Sequence, residues 1–477
     1  MKDYIITPNL AELMGKSDSE SIQNAVNHAC ASGVNSVTIP RINQRTGEPL
    51  WSIDKAIILP SNMEIVLDNC HLRQADGCLD NLFRNFANIE TDGHTLAERK
   101  NNIVIRGLGN AVLDGGNHNG LTQLNALTNG LPHIAYNNLI LLYNLRDFVL
   151  EGFEIRDHRY WAINLIHAER GRLSDIYVNG QCDCRNQDAI DLRVGCSNII
   201  IERITGQTGD DIVALSAIGN TENPKSMCAT FAVEGHDEDI HDIIIKDIIA
   251  TSVECTVIAL RNCDGRKIYN VTIDNIHCTD NYALQDGKHY PEYPKFKLYT
   301  KNILHRIRQS NMPYALIRMG QDGFFGKRNA QLGELYNVHA TNLHTHIGAV
   351  IVANVAMSNC YFGNIYAENT VDYILTTKSE RLSQVFGADI KNVIIENVFY
   401  NNTDNEYATA FDLDLNKRDF KIEHLIVRSA FLGNCKHPFS VRCEGTLRYS
   451  EVYGEHVEQP SGAMERTEMP VLESPLT

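Results

Sequence analysis

Two carboxylate-bearing stretches hold the residues best suited to chemistry in this 477-residue chain: Asn186-Gln187-Asp188-Ala189-Ile190-Asp191 and Thr208-Gly209-Asp210-Asp211-Ile212. Asp188 precedes Asp210 by 22 residues and Asp211 by 23. In a chain wound into coils of about that length, the three fall on neighbouring strands about 4.8 Å apart. Three carboxylates so close cannot all carry charge cheaply, so one is expected to stay protonated beside an ionised neighbour. An acid beside a carboxylate is what hydrolysis of a glycosidic bond requires. The ordinary alternative is an acidic strand face that is simply solvated, and Asp183 and Asp191 are read that way. Adjacent residues of a regular strand point to opposite faces. Asp210 and Asp211 therefore share a cleft only if the backbone bends, and Gly209 is expected to allow it.

The other polar candidates are weaker. His158-Arg159-Tyr160-Trp161 lies about one coil before Asp188, where His158 and Trp161 are placed to line a subsite. Trp161 either stacks on a sugar ring or packs at a coil corner. Cys182-Asp183-Cys184 lacks a second ligand pair at zinc spacing. Gly235-His236-Asp237-Glu238-Asp239 resembles half a metal site, and His344-Thr345-His346 offers two imidazoles at i, i+2. Core or surface roles are expected for all of these, with no metal and no cofactor. Tyr290-Pro-Glu-Tyr293-Pro-Lys-Phe296 reads as a rigid aromatic loop walling a cleft.

The elements that would position these groups are visible as a repeat. Short β-branched runs recur, each headed by a polar residue and ending in a turn. They are Asn102–Gly107, Asp147–Gly152, Asp175–Gly180, Asn198–Gly206, Asp242–Ile248, Asn270–Ile276, Asn337–Leu343, Asn392–Val398 and Glu423–Arg428. Starts between Asp147 and Asn198 lie about 25 residues apart, a period that suits a solenoid of stacked short parallel strands around a column of Val, Ile and Leu. A β-sandwich would show hairpin turns every 8–12 residues, and few are present. The expected fold is all-β, a single-stranded right-handed parallel β-helix over 1–455. Residues 19–33 carry Ile22, Val26 and Cys30 at i, i+4, i+8, with Ser19 as N-cap and Gly33 past the end, and are expected to form an N-terminal capping helix. It leads into a first strand at Val37–Pro40. Segments 114–132, 217–239 and 279–313 interrupt the coils as loop insertions. Residues 456–477 form a strand-poor tail over the surface.

Composition narrows the partners. The formal net charge of −16 argues against nucleic acid or an anionic membrane, since both call for a basic surface. No window approaches the roughly 20 apolar residues of a membrane span, and the first residues lack the apolar core of a secretory signal. The expectation is a cytoplasmic protein whose 13 cysteines are mainly buried free thiols.

At this point the sequence resembles the polygalacturonase-type glycoside hydrolases of family 28, which are right-handed parallel β-helices. Their signature blocks are Asn-Thr-Asp, Asp-Asp one coil later, Gly-His-Gly and Arg-Ile-Lys. Asn186-Gln187-Asp188 and Gly209-Asp210-Asp211 match the first two in order and spacing, and Leu113-Asp114-Gly115 belongs to a similar N-terminal region. Where Gly-His-Gly would fall stands Val253-Glu254-Cys255-Thr256, and Leu316-Ile317-Arg318-Met319 keeps the arginine of the last block but not its lysine. The resemblance implies an inverting hydrolase with Asp210 as general acid, Asp188 and Asp211 holding and deprotonating water, and Asn186 orienting substrate or an aspartate. It implies Arg318 as the contact for a substrate carboxylate. Arg261 is a second candidate, and either arginine reads equally as structural.

Three functions are carried forward. The first is an inverting glycoside hydrolase acting, in exo fashion, on plant-derived, pectic or uronic-acid-containing oligosaccharides. The second is a β-helix polysaccharide lyase or sugar epimerase, in which the aspartates would bind calcium. The third is a non-catalytic carbohydrate-binding β-helix.

Overall fold

The polar residue that heads most of the sequence repeats is a corner of a coil. Asn102, Asp147 and Asn198 have φ of 54°, 59° and 55°, and Asp242, Asn270, Asn337 and Asn392 have φ between 53° and 55°. This left-handed conformation is disfavoured for most side chains but tolerated by Asn and Asp. The corners also bond to one another up the stack: Asn270 donates to Asp242 at 2.9 Å, Asn337 to Asn270 at 3.2 Å and Asn392 to Asn359 at 3.0 Å. The computed structural model describes residues 5–180, 186–219, 232–252, 255–278, 315–320, 326–346, 348–368, 371–377, 389–400, 408–414, 421–442, 444–457 and 467–468.

The chain forms two compact units, Met1–Val213 with Gly219–Glu238, and Ala214–Ile218 with Asp239–Thr477. In the first, parallel pairing runs from Ser36–Pro40 through Met63–Asp68, Lys100–Leu108, Ile140–Glu151 and Ile163–Asn179 to Ser197–Thr208. A second row runs Trp51–Ile53, His71–Gln74, Val112–Asp114, Glu154–Arg156. A third includes Ile190–Arg193, stacked on Ile163–Leu165. The inward column Val37, Ile65, Ile105, Leu150, Leu173, Ile201 is wholly buried. In the second unit one row runs Ile240–Ser252, Ile268–Cys278, Leu335–Thr345, Met357–Ala367, Ile390–Tyr400, Lys421–Phe431, Glu444–Tyr453. Another runs from Thr256–Asn262 and Ala315–Met319 to His437–Arg442. The architecture is the right-handed parallel β-helix, with an N-terminal capping helix.

That helix spans Asp18–Ser32 and ends on Gly33 at φ 70°. Its N-cap is Ser17, not Ser19. The Ser17 hydroxyl accepts the Glu20 amide at 3.2 Å, while the Glu20 carboxylate accepts the Lys16 amide at 2.6 Å. Ser19 instead ties the helix to the coil, its hydroxyl accepting the amides of Asp54 and Lys55. The buried face is Ile22, Ala25, Val26 and Ala29, and Cys30 is exposed. At the other end, Thr467–Glu468 pairs antiparallel with Arg448–Tyr449 and so covers part of a strand edge. Part of the tail is thus strand rather than surface coil. Strand Met357–Ala367 was not foreseen, because Asn359-Cys-Tyr-Phe-Gly lacks the β-branched run that marks the others. Among the described cysteines all are free, and all but Cys30 are buried.

Candidate active site

Backbone hydrogen bonds stack the two acidic stretches. The Asp211 carbonyl accepts the Ala189 amide at 3.0 Å, the Ile212 carbonyl that of Ile190 at 3.0 Å, and the Gln187 carbonyl that of Asp210 at 3.3 Å. One rung lower, the Asp188 carbonyl accepts the Ala162 amide at 2.9 Å, and the Gln187 side chain donates to the His158 carbonyl at 2.7 Å. His158–Ala162, Gln187–Ala189 and Asp210–Ile212 are therefore three consecutive rungs of the first unit. Asp188 and Asp211 are buried, at 4% and 0% exposure, and Asp210 is half-buried.

Asp210 and Asp211 do come to the same side: their carboxylate oxygens lie within 4.8 Å. The bend that achieves this is associated with Thr208, whose hydroxyl donates to the Asp210 carbonyl, a local side-chain bond that diverts the strand. Gly209 does not adopt the left-handed conformation, so glycine's special freedom is not what is used. Asn186 sits half-buried at a left-handed turn, φ 57°, directly before Gln187. Asp191 differs from expectation. It lies at 1% exposure in strand Ile190–Arg193, in register with Asn164, and is not solvated. Cys182, Asp183 and Cys184 fall outside the described residues.

The wall beneath Asp188 corrects a second expectation. Trp161 is 4% exposed, its ring stacked on Tyr160 at 4.9 Å and crossed by the Arg193 guanidinium at 4.9 Å. Leu121, Ala126 and Ile134 complete the cluster. An indole so enclosed offers no face to a sugar. Its role is to dock the 114–132 insertion against the rung below the aspartates. His158 is likewise buried, its carbonyl accepting from the Gln187 side chain. Arg193 was not singled out from the sequence, although a lone arginine within Ile190-Asp-Leu-Arg-Val is the kind of signal that marks a buried charge with a dedicated partner.

At the root of the same insertion Asp114 accepts from the Gly116 amide at 2.6 Å and lies 2.7 Å from His71 Nε2. Burial pushes this carboxyl up, but His71, the Gly116 amide and Arg73 outweigh it and hold Asp114 below its ordinary value.

His236 is tied into the coil wall, within the core or surface role expected of it. Its Nδ1 is 2.7 Å from His167 Nδ1 and its Nε2 2.6 Å from Glu169, which also pairs with Arg99 and Arg146. Burial, then the charges of His236 and Arg99, push His167 down to about 3, so it is neutral. The relay latches Glu234–Asp237, whose Glu234 also bridges Thr95, onto the coil wall. Gly195, at φ 72°, makes room for it, since a Cβ there would lie 2.1 Å from His167 Nδ1.

The two arginine candidates belong to the second unit. Arg318 is fully buried with Nε donating to the Thr256 hydroxyl at 3.0 Å, and Arg261 is buried with its guanidinium 3.7 Å from Cys255 Sγ. Both stand in buried strand wall rather than on an open surface. His344 and His346 do not converge, one meeting Glu368 at 2.9 Å and the other the Cys278 carbonyl at 3.0 Å. Val253, Glu254, all of 279–313 including Tyr290–Phe296, and part of 217–239 lie outside the described residues. Among the described residues no helix is long and apolar enough to cross a membrane.

Residues 80–237 match the family model for Glycosyl hydrolases family 28. No curated protein matches the sequence. Among solved structures, an exopolygalacturonase from Thermotoga maritima is 15% identical, with 98% of this chain and 96% of that one covered and a TM-score of 0.45. The Streptococcus pneumoniae surface adhesin PfbA is 9% identical over 94% of this chain and 91% of that one, TM-score 0.52. A tailspike protein of E. coli bacteriophage HK620, in complex with a pentasaccharide, is 12% identical over 94% and 78%, TM-score 0.52. These likenesses are likenesses of fold. The similarity to glycosyl hydrolases family 28 spans about a third of the chain, the part that carries Asp188, Asp210 and Asp211.

Proposed function

We propose that the chain is an inverting glycoside hydrolase that takes plant-derived, pectic or uronic-acid-containing oligosaccharides from one end. The observation that carries this reading is the stacking of Asp188 against the Asp210–Asp211 bend on successive rungs of one unit. Asp210, the least buried of the three, is the general acid and gives its proton to the glycosidic oxygen as the bond to the anomeric carbon breaks. Water attacks that carbon from the opposite face and loses a proton to a carboxylate. Asp188, on the adjoining rung, and Asp211, whose carboxylate lies within 4.8 Å of that of Asp210, hold this water and take its proton. Asn186, at the entry to the Asp188 rung, is placed to hydrogen-bond substrate or an aspartate. Arg318 and Arg261 stay candidates only for a substrate group that reaches the buried wall of the second unit.

Exo action is supported by the 114–132 insertion, whose Leu121 and Ala126 dock on Trp161 beside the Asp188 rung and so stand where one end of a groove would close. The experiment is digestion of pectic and other plant oligosaccharides of defined length, followed by NMR of the first anomer released. The expected result is stepwise loss of one sugar with inverted configuration. A retained anomer overturns the inverting assignment, an ultraviolet-absorbing unsaturated product moves the chain to the lyases, and binding without cleavage moves it to the non-catalytic binders.

A further inference from the structure

Gln187 stands between Asn186 and Asp188 in the chain and is wholly buried. It bonds to two different rungs. Its side-chain amide donates to the His158 carbonyl on the rung below at 2.7 Å. Its own carbonyl accepts the Asp210 amide from the rung above at 3.3 Å. Asp188, the next residue, continues the ladder in the ordinary way, its carbonyl accepting the Ala162 amide at 2.9 Å. The bond from Asp210 is the longest of those joining these rungs, and it falls where Thr208 diverts the strand.

The space around the carboxamide is as restrictive as its bonds. Gly180 follows the strand that ends at Asn179. Its amide donates to the Gln207 carbonyl at 3.1 Å, and the Gln207 side chain returns a bond to the Gly180 carbonyl at 3.0 Å. A Cβ at position 180 would lie 3.0 Å from Gln187 Oε1 and 3.2 Å from the Gln207 carbonyl oxygen. Gly180 does not have a positive φ, so it serves clearance and not conformation. The Gln187 carboxamide thus fills a slot with Gly180 against it and the His158 carbonyl as its acceptor.

Such a fit matters where protons are moved between carboxyl groups and a sugar. Working groups must be held within about 0.5 Å of their productive geometry, and a misplacement of about 1 Å can cost about 100-fold in rate. Asp188 and Asp210 lie on different rungs, joined in this stretch by a long ladder bond. On the hydrolase reading of this site, we propose that Gln187 is a positioning residue: its bonds to the His158 carbonyl and the Asp210 amide set the height of Asp188 against Asp210.

The test is steady-state kinetics on an oligosaccharide that the wild type cleaves, with thermal melts, for Gln187→Leu, Gly180→Ala and Gln187→Glu. Gln187→Leu keeps much of the volume and cannot donate. Its kcat is expected to fall about 10–100-fold, with KM within about twofold of wild type, the mark of an interaction felt in the transition state. Gly180→Ala retains every hydrogen-bonding group and only displaces the carboxamide. It is expected to give a smaller fall, again in kcat, and guards against a leucine variant that does not fold. Gln187→Glu gives a readout that packing alone would not move. Its carboxylate cannot donate to a carbonyl, whereas the protonated acid can, and burial raises the pH at which it protonates. Its kcat relative to wild type is expected to climb about tenfold from about pH 7.5 to about pH 5. A wild type that cleaves nothing overturns the hydrolase reading and this inference with it. If the wild type cleaves, this inference alone is overturned by folded Gln187→Leu and Gly180→Ala that keep its kcat or change only KM, or by a Gln187→Glu ratio that is flat with pH.

Discussion

Trp161 separates packing from sugar recognition most cleanly. The indole is buried against Tyr160, crossed by the Arg193 guanidinium and wedged among Leu121, Ala126 and Ile134. Truncation to alanine opens a cavity and strips a buried cation of its aromatic partner. Large aromatic-to-alanine changes in cores cost about 3–5 kcal/mol, of which a desolvated cation–π contact is about 2. In a unit of this size that corresponds to a fall in melting midpoint of about 6–20 °C. Trp161→Phe keeps a ring for Tyr160 and Arg193. It also removes an indole N–H that has no acceptor among the described residues, so the loss should be near 1 kcal/mol. Thermal melts followed by far-ultraviolet circular dichroism, with KM measured well below the melt, give both readouts. The expected pattern is a large drop for Trp161→Ala, a small one for Trp161→Phe, and an unchanged KM for both. Unchanged midpoints together with a raised KM for Trp161→Ala would mean that the indole serves sugar after all.

Three further outcomes follow from named contacts. Because Asp114 is held below its ordinary value, its contribution to stability is fully present above the usual carboxylate range and is lost as pH falls through its folded value. Asp114→Ala should therefore cost about 1.5–3 kcal/mol at neutral pH, with the gap to wild type closing in acid denaturation below about pH 4. A gap that stays constant through acid contradicts the pairing. Burial pushes the Cys70, Cys196 and Cys360 thiols up to about 12, so iodoacetamide on the native protein should label exposed Cys30 and spare these three, as read by peptide mapping. Gly195→Ala puts a methyl into His167 and the Asp237 carbonyl. It should release the Glu234–Asp237 latch and speed proteolysis there, at a cost of about 1–3 kcal/mol; unaltered digestion would show the latch to be incidental.

The repeat was readable because each coil announces itself twice. The apolar triplet must alternate inward, and the residue at its head must tolerate a left-handed corner, which is why Asp242, Asn270, Asn337 and Asn392 stand where they do. Where either signal lapses, as in Asn359-Cys-Tyr-Phe-Gly, the strand is invisible from sequence. The stacking of Asp188 on Asp210–Asp211 was equally readable, since it follows from coil length alone. Side-chain burial was not. Asp191 and Trp161 looked solvated or substrate-facing because local sequence does not tell which loop folds over an outward strand position, and the cover for Trp161 comes from Leu121 and Ala126, a coil and more away. The partners of His236 were hidden for the same reason, His167 and Glu169 lying nearly 70 residues earlier in the chain.

Comparing kcat/KM for Asp188→Asn, Asp210→Asn, Asp211→Asn and Asp191→Asn on one oligosaccharide that the wild type cleaves reaches the centre of the account. Removing a general acid or base is expected to cost about 10²–10⁴-fold. The first three variants should each fall by that factor with melting midpoints unchanged or raised, since replacing one member of a crowded acidic set relieves repulsion. Asp191→Asn should alter stability and leave the folded enzyme's rate near wild type. Near-wild-type turnover in Asp188→Asn or Asp210→Asn would contradict the assignment of the reaction to these rungs.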